Sequence, residues 1–206
     1  MPKTADYFQE VGEIAKELDI LGLSPVLVGG MALIILGSQR VTQDFDFVIT
    51  EPKDLLEKML EVFYQRGFEL ITRLTPEGEV KSTIDNQKIA SIRLRIDGPS
   101  SALFFNPETE LRIDLLFDFP IPAIELTKNA TKMKISSQII PIASEKDLLR
   151  LKKIAKSARS SPRDAQDIDF LKKRGKKSIE KFIGSFKAPR NLAKLHDRYL
   201  YSSKKK

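Results

Sequence analysis

Residues 25–50 read PVLVGGMALIILGSQRVTQDFDFVIT. Pro25 to Val28 is a short β-favouring run that enters a Gly29-Gly30 turn. Met31 to Leu36 is almost wholly apolar, which predicts a short buried helix stopped by Gly37. A polar crossing then leads into Asp44 to Ile49, an expected strand. Side chains alternate across a strand with a period of two, so Asp44 and Asp46 share one face while Phe45 and Phe47 point into a core. Two carboxylates side by side on a rigid strand repel each other when both are ionised. A divalent cation on that face relieves the repulsion, and a site built from oxygens suits Mg²⁺ or Mn²⁺.

The flanking sequence extends the same alternation of elements. Residues 4–21 place Phe8, Val11, Ala15 and Leu18 on one helical stripe. Pro52 starts a helix whose buried face is Leu55, Leu56, Met59, Leu60 and Phe63, ending before Gly67. Phe68 to Thr72 is a strand candidate after it. The order β-α-β-α-β indicates an α/β domain. Further on, residues 88–97 alternate Ile92, Leu94 and Ile96 with Ser91, Arg93, Arg95 and Asp97, which predicts a strand with one wet face, broken by Gly98-Pro99. Residues 110–117 predict another strand, with Leu111, Ile113 and Leu115 on one face and Arg112, Asp114 and Leu116 on the other. The recurrence of Leu-Arg-Ile-Asp at 94–97 and 111–114 reads as two similar sheet strands. Residues 132–142 suit a short hairpin or two edge strands.

From residue 144 the pattern turns helical and basic. Ser144 opens one helix with Asp147 as a box-like cap, and Ser161-Pro162 opens the next with Asp164 in its first turn. Residues 172–187 suggest a separate small helix, and 189–200 a last one. The net charge of +7 is unevenly spread: residues 1–144 hold 15 Lys+Arg against 21 Asp+Glu, residues 145–206 hold 20 against 7. An acidic body with a basic C-terminal part fits a polyanionic partner docking on the latter. The expected division is a domain over 1–143, including the N-terminal helix, with a helical extension over 144–206 packed on it.

Composition excludes several chemistries. With no Cys there is no disulfide framework, thiol nucleophile or Cys-based zinc site. The single His196 cannot supply a multi-His metal centre, and its basic surroundings, Lys194 and Arg198 with Asp197, read as surface. Apolar runs fall well short of the roughly 20 residues that a membrane helix needs. The N-terminal MPKTADYFQE has no apolar signal core, so a cytoplasmic location is the expectation. Tyr199 and Tyr201, beside lysines, suit either base stacking or tail packing.

Gly-Gly, a short helix and then Arg40-x-Thr42-x-Asp44-x-Asp46 resembles the nucleotidyltransferase superfamily that includes DNA polymerase beta. The Gly-Gly form, where Gly-Ser is commoner, is similar to the branch of abortive-infection toxin nucleotidyltransferases and their uncharacterised relatives. Asp114 in Arg-Ile-Asp-Leu-Leu looks like that branch's third acid. Residues 144–170 resemble its C-terminal segment, with Lys152, Arg163, Asp164 and Asp167 at characteristic positions. On the residues alone Asp97 and Asp118 remain rivals for the third acid; the resemblance points to Asp114.

The resemblance implies a nucleotidyltransferase fold with a central mixed β-sheet flanked by helices, and a metal-dependent transfer of a nucleoside monophosphate from an NTP to an acceptor hydroxyl. Asp44, Asp46 and Asp114 would be the catalytic acids and the ligands of a two-ion Mg²⁺ or Mn²⁺ site. Gly29 and Gly30 would seat the triphosphate, with Arg40, Thr42 and Lys152 as further nucleotide contacts. Arg163, Asp164 and Asp167 would be structural or acceptor-side residues. Implied partners are an NTP, tRNA or other RNA on the basic part, and a cognate inhibitor protein, with no membrane. Two other readings stand beside it: a catalytically inactive nucleotide- or RNA-binding domain of this fold, and a structural or antitoxin-like interaction protein.

Overall fold

The computed structural model describes residues 7–42, 44–135, 137–158 and 161–185, with side chains as far as residue 175. The helix expected over 189–200, with His196 and Tyr199, and Tyr201 after it lie outside the described residues, as does the first turn expected at 4–6.

Among the described residues the order is α1 (Tyr7–Ile20), β1 (Val26–Val28), α2 (Gly29–Ile35), β2 (Asp44–Ile49), α3 (Leu56–Tyr64), β3 (Glu69–Leu74), β4 (Val80–Ile84), α4 (Gln87–Asp97), β5 (Ser101–Phe105), β6 (Arg112–Phe117), α5 (Ala123–Asn129), β7 (Thr131–Ile135), β8 (Gln138–Ile142), α6 (Glu145–Ala158) and α7 (Pro162–Ser185). The strands form one mixed eight-stranded sheet in the order β4-β3-β5-β6-β2-β1-β8-β7. β2 pairs with β6 and β1 with β8 in parallel, and the remaining pairs are antiparallel. This is an α/β fold with helices flanking a central mixed sheet and two further helices after it.

The core lies on the face of the sheet opposite Asp44 and Asp46. Phe45, Phe47, Ile113 and Leu115 are buried there, and the register sets Phe45 beside Ile113 and Phe47 beside Leu115. Phe8 of α1 meets Phe45 edge-on at 5.5 Å. Phe63 of α3 stacks on Phe104 of β5 at 3.9 Å and meets Phe68 edge-on at 5.7 Å. Each such buried ring contributes about 1.5–3 kcal/mol through water release. These anchors fix β2 and β6 from behind, so their other face is rigid.

Two sequence expectations are corrected. Residues 88–97 are helical, not a strand, and the two Leu-Arg-Ile-Asp stretches therefore occupy a helix end and a strand. Ala90 and Leu94 are the buried apolar residues of α4, while Ile92 and Ile96 are exposed, so the alternation that suggests a strand is not the burial pattern. Asn86 caps the helix, its Oδ1 accepting from the N–H groups of Lys88 and Ile89. Residues 172–185 continue α7 without a break. The 132–142 segment is the hairpin of the two alternatives, β7 forming the edge and β8 lying inside against β1.

α6 starts with the expected cap: Ser144 Oγ accepts from the Asp147 N–H and donates to Asp147 Oδ2. α6 and α7 pack together, and Arg174 ties them to the chain after α2, reaching Glu145 at 2.5 Å and the Leu36 carbonyl. Among the described residues no helix is long and apolar enough to cross a membrane.

Candidate active site

The site forms where β2 and β6 run in parallel. Their register sets Asp44 opposite Arg112 and Asp46 opposite Asp114. Period two carries all four side chains to the face away from Phe45 and Ile113. There they line a cleft of about 660 Å³ together with Gly29, Gly30, Arg40, Thr42, Lys152, Arg163 and Asp164. Of the three rivals for the third acid, only Asp114 stands beside the pair. Asp97 is at the end of α4 in an exposed pair with Arg93 at 2.6 Å. Asp118 holds loops together, accepting from the N–H groups of Glu51 and Ala123.

β1 brings the glycine turn over this face, with Val28 paired to Asp46. Gly29 has φ +66, a conformation that favours glycine, and a Cβ there would collide with the Asp46 carboxylate. The Gly30 N–H donates to Asp46. A Cβ on Gly30 would lie 2.6 Å from Arg40 Cζ. Gly29 therefore needs the bare backbone, while a side chain at Gly30 would displace the Arg40 guanidinium.

Arg40 leads to a second cluster. Its Nη1 donates to Asp167 Oδ2 at 2.8 Å, and Lys152 Nζ pairs with Asp167 at 2.7 Å and with Asp164 at 3.2 Å. Lys152, Asp164 and Asp167 are all buried. The network fastens α6 and α7 to the loop before β2. Asp167 stands behind the cleft, while Arg163 lies exposed on its wall. Thr42 Oγ1 accepts from the Asp44 N–H at 3.4 Å, bracing the entry to β2.

The acid face is electrostatically strained. Burial, then the charges of Asp114 and Asp44, push the Asp46 carboxyl up to about 7, against the pull of Lys152 and the Gly30 N–H. Burial also raises Asp114, which the hydrogen bond and charge of Arg112 draw back and Asp44 raises further. Arg112 is itself buried enough to lose some of its charge preference, yet its bond to Asp114 and the nearby Asp44 and Asp46 hold it above its ordinary value. Arg112 Nε donates to Asp114 Oδ1 at 2.9 Å and Nη2 to Oδ2 at 2.8 Å.

Among the described residues, no group of three or more acidic or histidine side chains is arranged as it stands to hold a metal ion. The chemistry of the donor set nonetheless fits a hard divalent cation: the acids offer only oxygens and carry more negative charge than Arg112 offsets. Of the three acids, Asp114 is the one held by an arginine fork among the described residues.

The other half of the cleft is apolar. It is lined by Leu116, Phe119 and Pro120 and by Leu151, Ile154, Ala155 and Ala158 of α6. The cleft thus has a floor with excess negative charge and an oily wall, an arrangement suited to a ligand that brings a cation to one end and has a flat or greasy group at the other.

The profile of the family described as "Nucleotidyl transferase AbiEii toxin, Type IV TA system" matches residues 17–200. The chain belongs to that family. Its AbiEii membership accounts for the nucleotidyltransferase-superfamily fold, which two structures of the antibiotic-resistance factor ANT(2'')-Ia share. The solution structure covers 97% of this chain and 100% of its own at 12% identity and a TM-score of 0.51. The crystal structure with adenylyl-2''-tobramycin covers 93% and 97% at the same identity and score. At that identity the likeness concerns the fold. An antigenic nucleotidyltransferase-like protein from Paracoccidioides brasiliensis is 19% identical over 83% of this chain and 78% of its own, with a TM-score of 0.49. No curated protein matches the chain in sequence.

Within this AbiEii-family cleft Arg112 stands beside the acids, a placement with no role among the sequence-based expectations. Period two places Arg112 on the face of Asp114, and the Arg-x-Asp spacing is the signal that a cation stands next to the third acid. The Arg40–Asp167 pair, 127 residues apart in sequence, has no local signature.

Proposed function

We propose that this protein transfers a nucleoside monophosphate from an NTP to an acceptor hydroxyl and releases pyrophosphate. The observation that carries the reading is the parallel register that sets Asp46 beside Asp114, with Asp44 on the same face and the glycine turn above. Asp44 and Asp46 would hold Mg²⁺ or Mn²⁺ in a two-ion arrangement to which Asp114 contributes. Divalent ions bound there supply charge neutralisation for the phosphates and a lowered pKa for the acceptor hydroxyl.

The chain's own residues do the rest. Gly29 and Gly30 keep the cleft floor bare so that the triphosphate can approach the backbone. Arg40 and Lys152 line the cleft beside it, held in place by Asp164 and Asp167, and would contact the nucleotide from there. Asp114 would orient the acceptor hydroxyl and take its proton as the hydroxyl oxygen bonds to the α-phosphorus and the α–β phosphoanhydride bond breaks, releasing pyrophosphate. The apolar wall of Phe119, Leu151 and Ile154 seats the base or the acceptor's flat part and excludes water. Arg163, with Lys153 and Lys156 exposed on α6, favours a polyanionic acceptor such as tRNA or another RNA. A cognate inhibitor protein is a further proposed partner.

One observation favours a second reading. The Arg112 clamp on Asp114 suits a domain that binds nucleotide without transferring it. Incubation with each labelled NTP, Mg²⁺ and bulk cellular RNA and protein separates the two. Labelled macromolecule is the expected result. Nucleotide binding without transfer to any acceptor would leave the second reading.

A further inference from the structure

The acid face contains a cation of its own. Arg112 sits opposite Asp44, two residues from Asp114 on the same strand face, and takes both oxygens of Asp114 in a bidentate fork. Forks of this kind are the strongest of the arginine–carboxylate contacts. Its remaining nitrogen, Nη1, reaches the Gly78 carbonyl at 3.3 Å, on the turn between β3 and β4. The guanidinium thus has a second anchor outside the acid cluster. Both side chains of the pair are largely shielded, at 16% and 14% exposure, so solvent does little to weaken their attraction.

We propose that Arg112 is a resident counter-cation that competes with a divalent ion for Asp114 and so controls when the three carboxylates act together. With no ligand in the cleft, Arg112 neutralises Asp114 and leaves Asp44 and Asp46 as the open pair. When a divalent cation draws on Asp114, Arg112 turns toward the Gly78 anchor. A fixed positive charge a few ångströms from the incoming ion opposes its entry, so the resident guanidinium lowers the affinity of the acids for metal alone. The cost to the ion falls once an anionic triphosphate shares the cleft with Arg112. The device therefore favours metal that arrives with nucleotide over metal that arrives by itself. The inference rests on the reading of the acids as a metal site.

The test is calorimetric titration of Mn²⁺ alone into the full-length chain, without nucleotide, for wild type, Arg112→Gln, Arg112→Lys and Asp46→Asn, with folding checked by circular dichroism. Arg112→Gln should bind Mn²⁺ about tenfold more tightly than wild type. Arg112→Lys keeps the charge but loses the fork, and should fall between. Unchanged or weaker binding in the Gln variant overturns the proposal and makes Arg112 a brace for Asp114. If the Gln variant does not fold, the Lys variant decides by the same criterion. Wild-type binding that is lost in Asp46→Asn but not strengthened by the Arg112 changes defeats this inference alone. No Mn²⁺ binding by any protein defeats the metal-site reading, and the inference with it.

Discussion

Two clusters of four charged side chains flank the same cleft, and they are built oppositely. Arg40, Lys152, Asp164 and Asp167 balance two cations against two carboxylates, joined by contacts of 2.7–3.2 Å. Asp44, Asp46, Asp114 and Arg112 set three carboxylates against one guanidinium, and burial together with the neighbouring carboxylates raises Asp46. The same residue types thus serve two purposes. The balanced set is finished as it stands and holds α6 and α7 in place. The unbalanced set is incomplete without more positive charge, which is the physical sense in which it reads as a site.

The contrast can be broken by mutation, because removing an acid should have opposite effects on the two sides. The largest effect is expected from Asp167→Ala. It leaves Arg40 and Lys152 without their shared partner in a buried place and should destabilise the fold by about 3–5 kcal/mol. Urea denaturation measures it, and a loss near zero would show that the network is not what holds α6 and α7. Next comes Gly29→Ala, which sets a Cβ into the Asp46 carboxylate at a positive φ. It should cost about 2–3 kcal/mol and abolish nucleotide binding, read by thermal melting and calorimetry.

Asp46→Asn sharpens the comparison from the other side. It keeps an acceptor for the Gly30 N–H but deletes the charge whose burial and neighbours oppose it. In chelator, at neutral pH or above, the variant should be more stable than wild type by about 1–3 kcal/mol, seen as a higher melting temperature. A lower melting temperature would mean that Asp46 is stabilising as it stands, and the two clusters would no longer differ in kind. The smallest effect belongs to Asp97→Asn. Its exposed pair with Arg93 on α4 should be worth under about 0.5 kcal/mol, with nucleotide handling unchanged. A loss of nucleotide binding there would move the third acid away from Asp114.

How much of this was legible follows from the length scale of each feature. The face shared by Asp44 and Asp46 rests on a period of two within one strand, and residues 25–50 contain it complete. So does the face shared by Arg112 and Asp114. What joins those faces is strand pairing between segments far apart in sequence, which local pattern does not encode; the resemblance to nucleotidyltransferases supplied that link. In α4, Ile92, Leu94 and Ile96 fit a period of two as well as parts of a helix. Its buried apolar residues, Ala90 and Leu94, are spaced by four, and Asn86 caps its first turn. β5 has no clear local signature, because its five residues, Ser101–Phe105, are too few to show a period. The balanced network was visible as a set of residue types, but its membership depends on how α6 and α7 cross the loop before β2.

The central claim is that the unbalanced acid face binds nucleotide through divalent metal. Calorimetry of an NTP with wild type and Asp46→Asn, each with Mg²⁺ and with chelator, tests it most directly. The account predicts binding by wild type only when Mg²⁺ is present, and none by the folded Asp46→Asn variant. Equal binding by the two proteins, or binding by wild type that is indifferent to Mg²⁺, would contradict it.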